Sequence, residues 1–248
     1  MNRRRAFAVP TALVVLALLV AACGGNSAPA LTDPNEILTK AIAAMQNAKS
    51  VHLEATVDGT FKADLTGTGT ASELNLAGTN LKGDLDLAAK NAHVTAAVPA
   101  FLGLTADIII VGTDTFTKVS LSGDKYQKSA TTTTDPTDPT VALKEVETFL
   151  KRPEVKPVKK DDTDCGSKKC YQIELNLSAD DLKALMPDQD LQGASIVATI
   201  LIERDTLYPA SAIVTISATT FGELKATITL SNWDKSVTIT APPADQVE

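Results

Sequence analysis

Aromatic rings are scarce in this chain. Phe, Tyr and Trp make up 4% of its 248 residues, which argues against stacking platforms for sugars. Histidine is rarer still. Only His52 and His93 occur, one on the polar side of an alternating stretch and one in a turn-rich segment, and both read as surface residues rather than general bases. Positive charge is outnumbered, with a formal net charge of −7 at pH 7. A nucleic-acid footprint would need a basic stripe, and adsorption to anionic head groups by charge alone is disfavoured too. No G-x-S-x-G is present, and Ser195 in "GASIV" lacks the second glycine of a nucleophile elbow. No loop has the glycine pattern that cradles phosphate. "PDQDLQG" opens like a calcium loop but carries Thr199 where the closing Glu belongs. Asp84 and Asp86 in "DLD", and the acidic "DDTD", read as solvated segments rather than acid/base pairs. The chain is therefore read as a non-enzyme, with no metal and no cofactor.

Apolar residues, by contrast, are organised from the first line. "MNRRRAFAVPTALVVLALLVAAC" has a positive start at Arg3, Arg4 and Arg5 and an apolar stretch from Thr11 to Val20, followed by small Ala21 and Ala22. Crossing a bilayer takes about 20 apolar residues, so a signal peptide over residues 1–22 is favoured over a span. "VAAC" resembles a bacterial lipobox with Val20 in place of the preferred Leu. That resemblance implies acylation of Cys23, an anchor on the outer leaflet of the cell membrane facing the periplasm or cell wall, and a flexible tether over residues 23–32. The competing reading is an ordinary secretory signal with an incidental cysteine. "RRRAF" also resembles a twin-arginine export signal, and the route of export stays open.

Two cysteines remain, in "DCGSKKC". An even count in an oxidising compartment points to a Cys165–Cys170 disulfide. Metal binding is the rival, without a histidine nearby, and the spacing is not that of a C-x-x-C redox pair. The segment "TDPNEILTKAIAAMQNAKS" reads as a helix, capped by Asp33 with Pro34 at its first position and Ile37, Leu38, Ala41, Ile42 and Met45 on one side. From Val51 the period drops to two. "VHLEATVDG" sets Val51, Leu53, Ala55 and Val57 against His52, Glu54, Thr56 and Asp58. Turn-punctuated strands follow, then "PTVALKEVETFLKR" and "SADDLKALMP" as helices, and four more strands ending in "SVTITAPP". About ten strands with three main helices and no βαβ alternation give an α+β class, an antiparallel sheet with helices on one face. Residues 33–248 are expected to form a single domain.

The order of elements is similar to that of the actinobacterial LppX/LprA/LprF/LprG lipoproteins. The likeness rests on "LSNWDKSVTITAPP" (Leu230, Ser231, Trp233, Lys235, Val237, Thr238, Thr240, Pro242, Pro243), on "TADIIIVGTDTFTKVS" with Phe116, and on "DPTVALKEVETFL" around Asp138 and Pro139. "KRPEVKPVKKDDTDCGSKKC" departs from the family pattern. The resemblance implies a curved antiparallel half-barrel with helices on its concave face around an apolar cavity, similar in shape to bacterial lipoprotein carriers. It implies a single lipid-binding domain holding an acylated lipid or glycolipid during envelope transport, as a monomer, with some members acting beside a major-facilitator-type exporter.

A lipid chain needs an unfilled apolar channel, not a charged partner. Alternation nominates Ala106, Ile108 and Ile110, with Phe116 on the neighbouring strand, Ile173 and Leu175, and Leu224, Ala226 and Ile228. Val146, Phe149 and Leu150 would belong to a helical lid, and "SATTTTDPTDPT" would gate the mouth. Each residue taken singly also fits an ordinary core. The small Ala55, Ala106, Ala198 and Ala226 and the scarcity of rings favour a void. The alternative is an anchored interaction module with a solid core, assisting a transporter or cell-wall machine.

Overall fold

Asp33 opens the first helix as its composition requires. Its side chain accepts the Asn35 N–H at 2.9 Å, and Pro34 begins α1 (Pro34–Asn47) where no amide donor is needed. The computed structural model describes residues 30–63, 72–130, 139–185, 193–219 and 222–248. The signal segment, Cys23, the tether as far as Pro29, and the loop tracts 131–138 and 186–192 lie outside the described residues, so the expectations placed on them have no structural account. Residues 32–248 gather into one compact unit.

After α1 the chain is almost entirely strand: β1 (Ser50–Ala63), β2 (Ser72–Asn75), β3 (Thr79–Asp86), β4 (Asn91–Val98), β5 (Leu104–Val111), β6 (Asp114–Val119) and β7 (Gln127–Ala130). Helix α2 (Pro139–Leu150), β8 (Val158–Lys159), β9 (Thr163–Cys165), β10 (Lys168–Leu177) and helix α3 (Ala179–Leu185) follow, then β11 (Ser195–Glu203), β12 (Pro209–Ala218) and β13 (Gly222–Ser231). The strands form one open antiparallel sheet in the order β7-β6-β5-β4-β3-β1-β13-β12-β11-β10-β8, with β2 on β1 and β9 on β10. The strand count exceeds the expected ten because β2, β7, β8 and β9 are only two to four residues long.

The join between the two halves of the sheet, β1 on β13, needs glycine twice. Gly59 (φ +117°) and Gly222 (φ +105°) sit across this ladder, and a Cβ on either would fall 2.1 Å from the Glu223 carbonyl oxygen or 2.5 Å from that of Thr60. Only glycine adopts that backbone and permits that approach. At the opposite end of the ladder the "SNWD" motif ties strand ends together. Trp233 stacks on Tyr208 with ring centroids 4.5 Å apart and donates Nε1–H to the Pro209 carbonyl at 3.1 Å. Asp234 accepts the Lys49 N–H at 2.7 Å and the Tyr208 hydroxyl at 2.6 Å. These bonds hold its carboxyl below the usual range, with the backbone bond from Lys49 foremost, and push the Tyr208 phenol up to about 12, mainly through Asp234.

"SVTITAPP" departs from expectation. It carries the alternation of a strand but pairs with none among the described residues, because both edges of β13 are already taken by β1 and β12. The chain instead continues as an extended strap to Tyr126, with which Gln246 and Glu248 exchange backbone hydrogen bonds of 2.8 Å. Ile239 and Val247 pack there against Ile109, Phe116 and Tyr126.

Cys165 and Cys170 are disulfide-bonded across the β9–β10 hairpin, with Cys170 fully buried. The bridge closes a short loop, and the chain-entropy model assigns such a loop about 2 kcal/mol. Replacing both with Ser should lower the free energy of unfolding in urea by about that amount, with no change in far-ultraviolet circular dichroism. A variant as stable as the parent would show that the hairpin holds without the bridge.

Candidate functional site

The period of two places every second strand residue on one face, and the register aligns those residues into rows that cross the whole sheet. One row runs from Val119 through Ala106, Ala96, Leu81 and Ala55 to Ile228, then through Ala212 and Ile200 to Ile173. All nine residues are apolar and four are alanine. A second row links Val57, Ala226, Val214, Ala198 and Leu175. The opposite face is polar in the same strands, with Glu54, Thr56 and Asp58 in β1 and Thr227 and Thr229 in β13.

The helices bury only part of this apolar face. Phe149 and Leu150 of α2, Leu182 of α3 and Val155 pack on Leu175, Leu177, Ala198 and Val214, closing the β10–β12 side. Ser178 fixes α3 there: its hydroxyl and amide bond to the Asp181 carboxylate at 2.6 and 2.9 Å, which holds that carboxyl below its ordinary value. Over the central strands the aliphatic side chains are only half-buried, among them Leu53, Val57, Leu81, Val94, Ala106 and Ile108. Between α1 and α2 a cleft of about 370 Å³ has Leu38, Ile42, Leu150 and Val155 at its base and Gln46, Glu147, Lys151 and Arg152 at its rim. Lys151 bonds Glu147 at 2.6 Å and lowers its carboxyl pKa.

The nominated residues divide accordingly. Ala106, Ile108, Leu224, Ala226 and Ile228 share the apolar face and are half-buried. Ile110, Ile173 and Leu175 lie on the same face but are closed over. Phe149 and Leu150 turn inward, as a lid requires. Two assignments need correction. Phe116 pairs with Ile109, not with Ile108 or Ile110, and is buried on the opposite face beneath the C-terminal strap. Val146 is 46% exposed and points away from the core, whereas Phe149 and Leu150 of the same helix pack on it. Val57, Leu81, Val94 and Ala96 were not nominated, although the same alternation marks them.

Six titratable groups of the polar face bond to one another. His52 Nδ1 lies 2.7 Å from Asp84 and its Nε2 3.5 Å from Glu54, while His93 Nε2 lies 2.9 Å from Asp107, which also accepts the Tyr126 hydroxyl at 2.8 Å. Burial, then Asp107, pushes the Tyr126 phenol up to about 12. Both nitrogens of His52 face carboxylates, an arrangement that stores a proton rather than passing one on. No group of His, Cys, Asp and Glu among the described residues could hold a metal ion. Asp162 is engaged by Lys159 at 2.6 Å and Arg204 at 3.1 Å.

The Asp84 hydrogen bond raises the His52 pKa above 6.5. A raised folded-state value means stability that is fully present below pH 6.5 and lost as pH climbs through the folded pKa. NMR titration of the His52 ring should give a value above 6.5 that falls on Asp84→Asn, and the stability gap between parent and variant should be larger at about pH 5.5 than at about pH 8.5. An unchanged titration in the variant contradicts the assignment.

No helix among the described residues is long and apolar enough to cross a membrane. Comparison with the curated proteins finds no match. Among solved structures the fold is similar to that of Mycobacterium tuberculosis lipoprotein LppX, at 14% identity and a TM-score of 0.50, covering 83% of this chain and 97% of that one. It is also similar to LprF from Mycobacterium bovis, at 16% identity and a TM-score of 0.51, covering 84% of this chain and 96% of that one. At such identities the likeness establishes the fold, an open, curved, mostly antiparallel sheet with few helices. The model of a family of lipoproteins, not of enzymes, matches residues 33–239, and the chain belongs to it: the LppX_LprAFG lipoprotein family.

Proposed function

We propose that this lipoprotein binds the acyl chains of a lipid or glycolipid against the half-buried aliphatic face of its sheet and carries or presents them during envelope transport. The observation that carries this reading is the apolar row from Val119 to Ile228, continuous across six strands and only partly covered by helix. Hydrocarbon leaving water for such a surface gains about 25 cal/mol per Å² of apolar area buried, so the ligand is recognised by its tails and no bond is made or broken. The alanines keep the middle of the row shallow, which leaves width for a chain. The α1–α2 cleft, apolar below and charged at its rim, suits a mouth where tails enter and a polar head group stays wet. Acylated Cys23 would hold the monomer on the outer leaflet of the cell membrane, facing the periplasm or cell wall. Residues 24–32 would act as its leash, and residues 33–248 would serve as the single lipid-binding domain. Cargo would be received or passed on beside a major-facilitator-type exporter.

Native mass spectrometry of protein expressed in a lipid-rich host should reveal co-purifying lipid. Ile108→Trp and Ala226→Trp should each reduce that occupancy severalfold while leaving circular dichroism and the melting temperature near the parent values. A bare mass for the parent, with no uptake of fluorescent fatty acid, would favour the interaction module with a solid core. Cys23→Ala should shift the protein from the membrane fraction to the soluble fraction and remove the acyl mass from its N-terminal peptide. Retention on the membrane at the parental level would contradict the anchor.

A further inference from the structure

At one end of the sheet, where β4 turns into β5 and β6 leaves for β7, three large apolar side chains face water. Leu102 is 90% exposed, Leu121 64% and Phe101 39%. The two turns stand side by side: the Ser120 N–H donates to the Thr105 carbonyl at 2.9 Å, and the Thr105 N–H to the Ser120 hydroxyl at 3.0 Å. Each is braced from within, by bonds from Phe101 N–H to Val98, Gly103 N–H to Pro99 and Ser122 N–H to Val119. Both protrude, since a Cβ on Gly103 or Gly123 would meet no atom within 4 Å. Leu102 holds a left-handed backbone (φ +55°) that Asn or Gly would adopt at less cost. A fully exposed leucine in a conformation unfavourable to leucine gains nothing from water. Pro99–Gly103 and Ser120–Gly123 contain no charged residue, and the exposed Asp124 and Lys125 that follow are of opposite sign.

We propose that these paired turns form a membrane-docking tip, with Leu102, Leu121 and Phe101 entering the interfacial layer of a lipid bilayer. Three projecting side chains offer far less than the roughly 800 Å² per partner of a stable protein interface, and their convex outline encloses no small molecule. A bilayer demands neither, because each side chain partitions on its own. The tip is also continuous with the apolar face. The Leu104 N–H bonds the Phe101 carbonyl at 3.0 Å, and Leu104 pairs with Val98 in the same alternation as Ala106 and Ile108. A hydrocarbon tail rising beside the tip would meet that face without crossing charge. A tip without net charge on an acidic chain implies insertion that needs no anionic lipid and tolerates salt. The inference rests on the chain working at a membrane and is independent of whether the inner face holds a lipid.

The test places a tryptophan reporter in the full chain, in a Trp233→Phe background that retains the ring stacked on Tyr208. With vesicles of brominated phosphatidylcholine, Leu102→Trp should be strongly quenched. Thr113→Trp, in the β5–β6 turn at the other end of the sheet, should remain unquenched, and both results should persist in about 0.5 M salt, where exposed charges are screened. A Leu121→Trp reporter should lose most of its quenching when Leu102→Asn is added, with a melting temperature no lower than that of the reporter alone. Equal quenching at positions 102 and 113, or none at either, would overturn the proposal. Shielding of the Leu102→Trp reporter without vesicles, rising with protein concentration, would assign the tip to a second copy of the chain and overturn it as well.

Discussion

A mismatch between apolar sheet and covering helix governs this molecule. Eleven strands in path order, at about 4.8 Å spacing, make a sheet about 48 Å across before curvature. The described helices are 14, 12 and 7 residues long, and each is about 10 Å wide. Such helices seal the β10–β12 side and leave the central strands half-open. Here Ala55, Ala96, Ala106 and Ala212 keep the surface low.

The two faces of the sheet are stabilised by different chemistry. The outer face carries paired charges, two histidines on carboxylates and the C-terminal strap, which reaches Tyr126 and packs on Ile109 and Phe116. Trp233, Asp234, Lys49 and Tyr208 clamp the end of the β1–β13 ladder. Cohesion thus comes from ladder hydrogen bonds, the strap and the clamp, and less from packing over the central inner face. The proposed lipid carriage would draw on this division of labour, because a core that held the sheet together could not also empty and refill. The same sheet ends, at the opposite pole from the clamp, in the apolar-tipped turns around Leu102 and Leu121.

Much of this was legible in the sequence because its signals are local. Asp33-Pro34 marks the start of α1, alternation from Val51 marks β1 and its apolar side, and the even pair of cysteines marks the β9–β10 bridge. Where reading failed, the cause was non-local. In "ADIIIV" the face with Asp107 also carries Ile109 and Val111, so nothing nearby shows that Ile109, not Ile108, faces Phe116. The residues that bury that pair, Ile239 and Val247, lie far downstream, beyond the last strand. "SVTITAPP" has the rhythm of a strand, but pairing depends on a free edge, which is a property of the assembled sheet. Val146 fits the helical period of α2, yet it lies exposed while Phe149 and Leu150 pack on the neighbours of α2. The half-burial of the central rows is likewise a sum over many strands.

The central claim is that acyl chains occupy the inner face and not the outer one. Methyl NMR of isoleucine-labelled protein with a spin-labelled fatty acid tests it most directly. The account predicts selective broadening of the Ile108 and Ile228 methyl signals on the half-open face, with Ile109 beneath the strap unaffected. Broadening spread evenly over both faces, or none at all, would contradict it.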